Sequence, residues 1–304
     1  MKRGDALQAH VTSMGELRDI VGAMRSLAGM RIQEAHRVVP AVRRYAAATV
    51  DAVATALLLI GDADPAPSHN PGPGAIVLCA AEHGFVGGFN ERLVDVAQRA
   101  RDRGDVLFIV GSRGAAIAAE RGLRAAWWSP MATRPVATLE TIRRLTTELY
   151  RHVTAGGVAR IEVIYSKYRQ GTVPTIERQR LLPLDPAVLA PSQTAAPPLH
   201  NLAPPVLLEK LMAEYVFARL TEAAVESIAS ENAARFSAME AAHENVSKKL
   251  DHLRQQARQA RQEEVTTELL DVITGAEALM GRRPALARPR TSGSGFPPAR
   301  SDAR

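Results

Sequence analysis

From Ala229 to Leu279 the chain contains no proline and one glycine, Gly275, close to the end. Little else in the sequence limits the fold so tightly. Helix continues where nothing stops it, and the helix-compatible run extends from Pro205 to about Met280. At 1.5 Å per residue that is on the order of 110 Å, longer than a compact domain of this size can bury. A seam steps by alternating fours and threes through Val225, Ala229, Asn232, Phe236, Met239, His243, Val246, Leu250, Leu253, Ala257 and Ala260. It then slips by one residue to Val265, Leu269, Val272, Ala276 and Leu279. A 3.5-residue period specifies a coiled coil, and a slip marks a local change in supercoil. A rod of this kind must be sheathed by another protein or act as a spacer.

Residues 1–60 read as a second helix, with one seam at Leu7, Val11 and Met14 and another at Leu17, Ile20, Met24 and Leu27. Pro40 removes an amide donor and clashes with the carbonyl of His36, so a kink is expected there. Residues 61–74 are a turn-rich linker. Residues 75–183 change character. "AIVLCAA", "DVLFIVG" and "ARIEVIYSKYR" are short apolar strands separated by helical segments, and "TVPTIERQRLLPL" reads as a hairpin or edge partner. Alternating strands and helices predict a parallel sheet covered by helices. Residues 184–205 are proline-rich and irregular, and 281–304 form an Arg/Pro-rich tail too poor in apolar residues to fold. The expected fold class is α/β: a long antiparallel coiled coil of the two terminal helices (1–60 and 205–280) carrying a Rossmann-like middle domain (75–183).

The net charge of +6 points toward nucleic acid only until it is located. The tail holds six arginines against Asp302 alone, so it carries +5 of that charge and the rest of the chain is nearly neutral. Aromatic residues make up only 4%, which suits alanine-rich helices packed closely on one another. The single cysteine, Cys79, sits in an apolar run and reads as a buried thiol. The N-terminus lacks a hydrophobic signal core, and Ala52–Ile60 is too short to span a bilayer, so membrane association is expected to be peripheral only.

Motifs for chemistry are sparse. "EHGFVGGFN" lies between a strand and a helix, where a dinucleotide fold binds phosphate, yet it is neither G-x-G-x-x-G nor a Walker A. It reads as a tight turn with Asn90 near the helix start. Glu82 and His83 have no third member to make an acid–base set. The histidines lack metal-ligand spacing, and His243 and Asn232 read as register-setting polar residues on the seam. No catalytic residue, cofactor or metal is expected. "ARQARQEEVTTEL" is the stretch that draws attention. Its charges fit a solvated helix face with pairs such as Arg261–Glu264, but the seam slip there turns polar groups toward a surrounding partner.

Ile20 to Met24, the glycines of "AAEHGFVGGFN", Ser230 to Met239 and Ala260 to Leu269, in this order and spacing, resemble the γ subunit family of F-type ATP synthases. The family's I-T-K-A-M-x-x-V-A-A-x-K-L is echoed by Ile20, Val21, Gly22, Ala23 and Met24, then Leu27, Ala28, Arg31 and Ile32. S-D-R-G-L-C-G-G-L-N resembles "AAEHGFVGGFN" through Gly84, Gly87, Gly88 and Asn90. S-E-x-A-A-R-x-x-A-M is matched by Ser230, Glu231, Ala233, Ala234, Arg235, Ala238 and Met239. A-R-Q-x-x-I-T-x-E-L is matched by Ala260, Arg261, Gln262, Val265, Thr266, Glu268 and Leu269. Departures mark a divergent member: Gly22 for lysine, Val86 for cysteine, Arg258 for asparagine, Arg44 for the proline beside Tyr45, and the tail beyond the usual end.

The resemblance implies a rotor shaft that couples ion flow through a membrane c-ring to ATP synthesis or hydrolysis in an α/β catalytic head, without catalytic residues of its own. It implies α, β and ε subunits and the c-ring as partners, and a place on the cytoplasmic face of a bacterial inner membrane. Arg261, Gln262, Thr266 and Glu268 would contact the catalytic β subunits, with Met24 and Arg25 near the same contact. Two other readings compete. One is a nucleotide-binding α/β protein with helical arms, and the other a coiled-coil scaffold with a basic nucleic-acid-binding tail.

Overall fold

The computed structural model describes residues 3–60, 72–169, 174–184 and 199–280. The expected tail at 281–304 lies outside the described residues, as do 61–71 of the expected linker. By contacts the chain divides into two compact units. One joins residues up to Ser13 with those from Lys249, and the other is Met14–Lys248.

The larger unit is built on a five-stranded sheet in the order β3-β2-β1-β4-β5. The strands are β1 (Gly74–Cys79), β2 (Val106–Val110), β3 (Trp127–Ser129), β4 (Arg160–Lys167) and β5 (Thr175–Leu182). β1 runs parallel to β2 and β4, β2 parallel to β3, and β5 returns antiparallel at the edge. β1 is buried along its whole length, as a central parallel strand covered on both faces must be. On one face α2 (Phe89–Ala100) and α3 (Ser112–Glu120) place Leu93, Val94, Ala97 and Ile117 over Ile76, Leu78 and Ile109. On the other, α4 (Thr138–Thr154) brings Ile142, Leu145 and Leu149 to Val77, Phe108 and Val163. That second face is shared with the terminal helices through Val53, Tyr215, Val216, Leu220 and Ile228. β3 escapes the sequence reading because a three-residue strand with two tryptophans shows no alternation.

The terminal helices are α1 (Arg3–Leu58) and α5 (Pro204–Met280). Within the larger unit they run antiparallel. Gly22 faces His243, Arg25 donates to Glu240 at 3.1 Å and Gly29 faces Phe236. Each step forward in α1 is an equal step back in α5. The inner stripe of α1 is Val21, Ala28, Ala35, Val39, Ala46 and Val53, all buried. The seam expected through Leu17, Ile20 and Leu27 is therefore one position out of phase, and those side chains are 43%, 58% and 48% exposed. Bulk misled the sequence reading. The interface uses alanine and glycine on α1, with Gly29 facing the Phe236 ring and Ala35 and Val39 packed with Val225, Ala229 and Tyr168. Pro40 lies inside an unbroken helix. It is exposed, so water can reach the carbonyl it frees, while Ala35, Val39 and Val42 on the opposite stripe pack with Val225 and Ala229.

In the smaller unit Leu250 and Leu253 are buried, and Gly4 faces Glu264, whose Oε2 lies 3.3 Å from where a Cβ would stand. From Val265 to Glu277 every residue is exposed. The slipped seam at Val265, Leu269 and Val272 is thus not covered by the described residues. No described helix is long and apolar enough to cross a membrane.

Candidate functional site

In a sheet of this order the chain leaves β1 toward β2 on one side and later returns to β4 on the other. α/β proteins bind ligands in the crevice outside the carboxyl ends of two such strands. Here the crevice is filled by α5. Ser227 Oγ donates to the carbonyl of Cys79, at the end of β1, at 2.7 Å. Ser230 Oγ donates to the carbonyl of Ser166 in β4 at 2.9 Å. Glu226 accepts from the Tyr168 amide at 2.9 Å and from Arg43 of α1 at 2.6 Å. Arg235 donates to Glu231 at 2.6 Å and to the carbonyl of Gly84 at 3.3 Å. These residues recur at helical spacing and form one stripe of α5.

Burial sets the electrostatics of that stripe. It pushes the Glu226 carboxyl above its ordinary range, against the opposing pull of the Tyr168 amide and Arg43. Burial likewise raises Glu231, partly offset by Arg235. The Cys79 thiol, fully buried, is pushed up to about 12, so it is no nucleophile at neutral pH.

The turn after β1 holds the second half of the site. Glu82 accepts from the Ser112 amide at 2.9 Å, the Ser112 hydroxyl at 2.7 Å and the Met131 amide at 2.8 Å. Ser112 opens α3, so a carboxylate of this chain occupies the helix N-terminus that a phosphate would use. Glu82 thus clamps the start of α3 and the segment at Met131 to the turn after β1. Asn90 lies near the helix start as expected, second in α2, and its buried Oδ1 accepts the Ala81 amide at 2.9 Å. Asn232 bonds within its own helix, to Ile228 at 2.8 Å, rather than setting register across the pair. Beyond Glu82 the backbone turns left-handed at Phe85 (φ 61°) and Gly87 (φ 56°), leaving the Phe85 ring 68% exposed. A cavity of about 580 Å³ opens beside it, lined by Met24, Leu27, Arg31, Phe85, Glu231 and Arg235 among others.

The expected partner-facing residues fall into two sets. Met24 is half-buried on the cavity rim, whereas Arg25 is engaged with Glu240 of the same chain. Arg261, Gln262, Thr266 and Glu268 belong to the smaller unit and are all exposed. The Thr266 hydroxyl donates to the Gln262 carbonyl of its own helix at 2.8 Å. Among the described residues no acidic, histidine or cysteine cluster could hold a metal. Sequence reasoning registered Ser230, Glu231 and Arg235 as motif letters but missed their bonds, and missed Glu226 and Ser227 altogether. A serine in a helix shows no sign of which carbonyl it will meet.

The class so defined is an α/β protein whose ligand crevice is filled by its own long terminal helix, paired antiparallel with the other. Comparisons carry this further. The ATP synthase family profile matches residues 4–279. An ATP synthase gamma chain from Geotalea uraniireducens is 26% identical over 286 residues, covering 91% of this chain and 98% of that one. One from Thermobifida fusca is 29% identical over 287 residues, covering 88% and 94%. Among solved structures, the rotor of the Euglena gracilis mitochondrial ATP synthase shares the fold with a TM-score of 0.60 at 13% identity, covering 86% of this chain and 98% of that one. The central stalk and c-ring structure from Tetrahymena thermophila gives 0.54 at 17%, covering 73% and 99%. The chain belongs to the ATP synthase family, among its γ chains.

Proposed function

We propose that this γ chain acts as the non-catalytic shaft of its complex. The helix pair stands within a ring of α and β subunits, and residues 75–183 rest with the ε subunit on the membrane c-ring. The reading is supported most by the family match across residues 4–279. The Tetrahymena structure is of the central stalk and c-ring, and a further Euglena structure (TM-score 0.52, 14% identity) is of OSCP, F1 and c-ring. The uncovered residues Val265, Leu269, Leu270, Val272 and Ile273 suit a sleeve formed by other subunits. Arg261, Gln262, Thr266 and Glu268 on the same segment meet the β subunits, and Met24 contributes a second contact. Arg25 contributes by holding α1 to α5.

The helix pair is asymmetric, so at each angle the three catalytic sites face different surfaces of it. Differential contact energy then shifts each site among open, loose and tight states. Hydrogen bonds from charged groups to a partner strengthen as water is excluded, yet they must break on every turn, so they define dwell positions. The chain sits at the cytoplasmic face of the inner membrane, held there through its partners. The test is affinity purification of the tagged chain from native membranes. The expected eluate contains α, β and ε subunits with ATPase activity, and an eluate without them sinks the reading.

A further inference from the structure

We propose that the filled crevice at the carboxyl ends of β1 and β4 is the joint through which turning force passes between α5 and the α/β domain, with Ser227, Ser230 and Glu226 as its positioning residues. The inference rests on the rotor reading above. Apolar contact is non-directional, so it fixes the rotation of a seated helix less sharply than directional bonds do. Hydrogen bonds are directional and weaken steeply when misaligned. Ser227 is 1% exposed and Ser230 fully buried, so when α5 turns against the sheet no water replaces what is lost.

The bonds are arranged as a key. Ser227 holds the Cys79 carbonyl and Ser230 the Ser166 carbonyl, on neighbouring strands. Glu226 joins the Tyr168 amide just beyond β4 to Arg43 of α1, and Arg43 also donates to the Tyr168 carbonyl at 3.3 Å. Sheet and both helices are therefore tied at one place, and relative rotation must break all of these bonds together. Ala223, Ala224 and Ala229 on the same stretch of α5 are buried, and their small side chains permit the close approach that serine-to-carbonyl bonds require. The crevice that elsewhere receives a ligand here receives a drive shaft.

The test uses the assembled complex in sealed membrane vesicles, comparing wild type with Ser227→Ala/Ser230→Ala. Hydrogen exchange of the amides around Ser227 and Ser230 is expected to quicken by about fivefold for each bond lost. ATP hydrolysis should stay close to wild type while the steady ion gradient supported by ATP falls, because slip at the joint appears only under load. Ser227→Thr/Ser230→Thr, which keeps both hydroxyls, should restore the gradient. Unchanged exchange, an unchanged gradient despite faster exchange, or parallel loss of hydrolysis and gradient each overturns the proposal. Should the double variant not assemble, Glu226→Gln and Ser230→Ala singly are judged by the same measurements. A wild-type chain that never co-purifies with catalytic subunits sinks the rotor reading itself; an intact complex with unaltered coupling sinks only the joint.

Discussion

Glu82 gathers the ends of two loops onto one carboxylate, and its Ser112 and Met131 donors are backbone amides that have no equivalent partner if the charge is removed. Bonds to an ionised group contribute more than neutral ones. Glu82→Gln should therefore lower the unfolding free energy of the chain by about 2 kcal/mol, read from urea denaturation. Glu231 makes the complementary point about charge. Its folded pKa is raised, chiefly by burial, so the folded chain holds the proton more tightly than the unfolded one. Stability from this group is fully present below the ordinary carboxylate value of about 4.3 and is lost as pH rises through the folded value. Glu231→Gln should flatten the fall in melting temperature between acidic and neutral pH. An unchanged slope would mean that other groups carry it. Neither role was legible in the sequence: the donors to Glu82 lie in distant segments, and although Arg235 stands one turn from Glu231, nothing local shows that the pair is buried.

At the scale of elements, the helix pair shows how far periodicity reaches. The existence of α1 and α5 and their antiparallel pairing follow from long helix-compatible runs, broken only by Pro40 in α1, and a repeating apolar stripe. The face that α1 turns inward does not. Leu17, Ile20 and Leu27 are larger than Val21, Ala28 and Ala35, yet the smaller set is buried because the partner helix fills the space. Ala35→Leu should accordingly destabilise the chain by about 1–3 kcal/mol through overpacking. Leu27→Ala, on the outer face, should change stability by less than about 0.5 kcal/mol. Gly22 offers the opposite case. A Cβ there would meet His243 Cδ2 at 3.7 Å, an ordinary contact, so Gly22→Ala should raise thermal stability through helix propensity by up to about 1 kcal/mol. In the sheet, Gly111 has no such freedom. With φ 121° and a would-be Cβ 2.4 Å from the Ala80 carbonyl oxygen, it lets α3 start directly against β1.

For the molecule as a whole, the question is what the exposed end of α5 is for. Thr266 spends its hydroxyl proton on its own helix, and Gln262 is open along its length. Neither stabilises the isolated chain by any contact that substitution would remove from a core. Gln262→Ala or Thr266→Val should therefore leave the unfolding midpoint of the chain unchanged while lowering ATP turnover or assembly of the complex. Wild-type turnover in both variants would refute the assignment of these residues while leaving the fold untouched. That segment was legible as unusual from the seam slip alone, and every residue from Val265 to Glu277 is exposed.

The sequence by itself determined the two long helices, the alternation that makes the α/β sheet, the burial of Cys79 and the family likeness. These are short-range properties, written in propensity and period over neighbouring residues. Only the tertiary structure decided which stripe of α1 lies inside, what Glu82 clamps, that Asn90 pins a strand end, and that α5 fills the crevice between β1 and β4. Such outcomes depend on the shape and hydrogen-bonding needs of surfaces far apart in the chain, and a side chain's own identity does not state which of them it will meet.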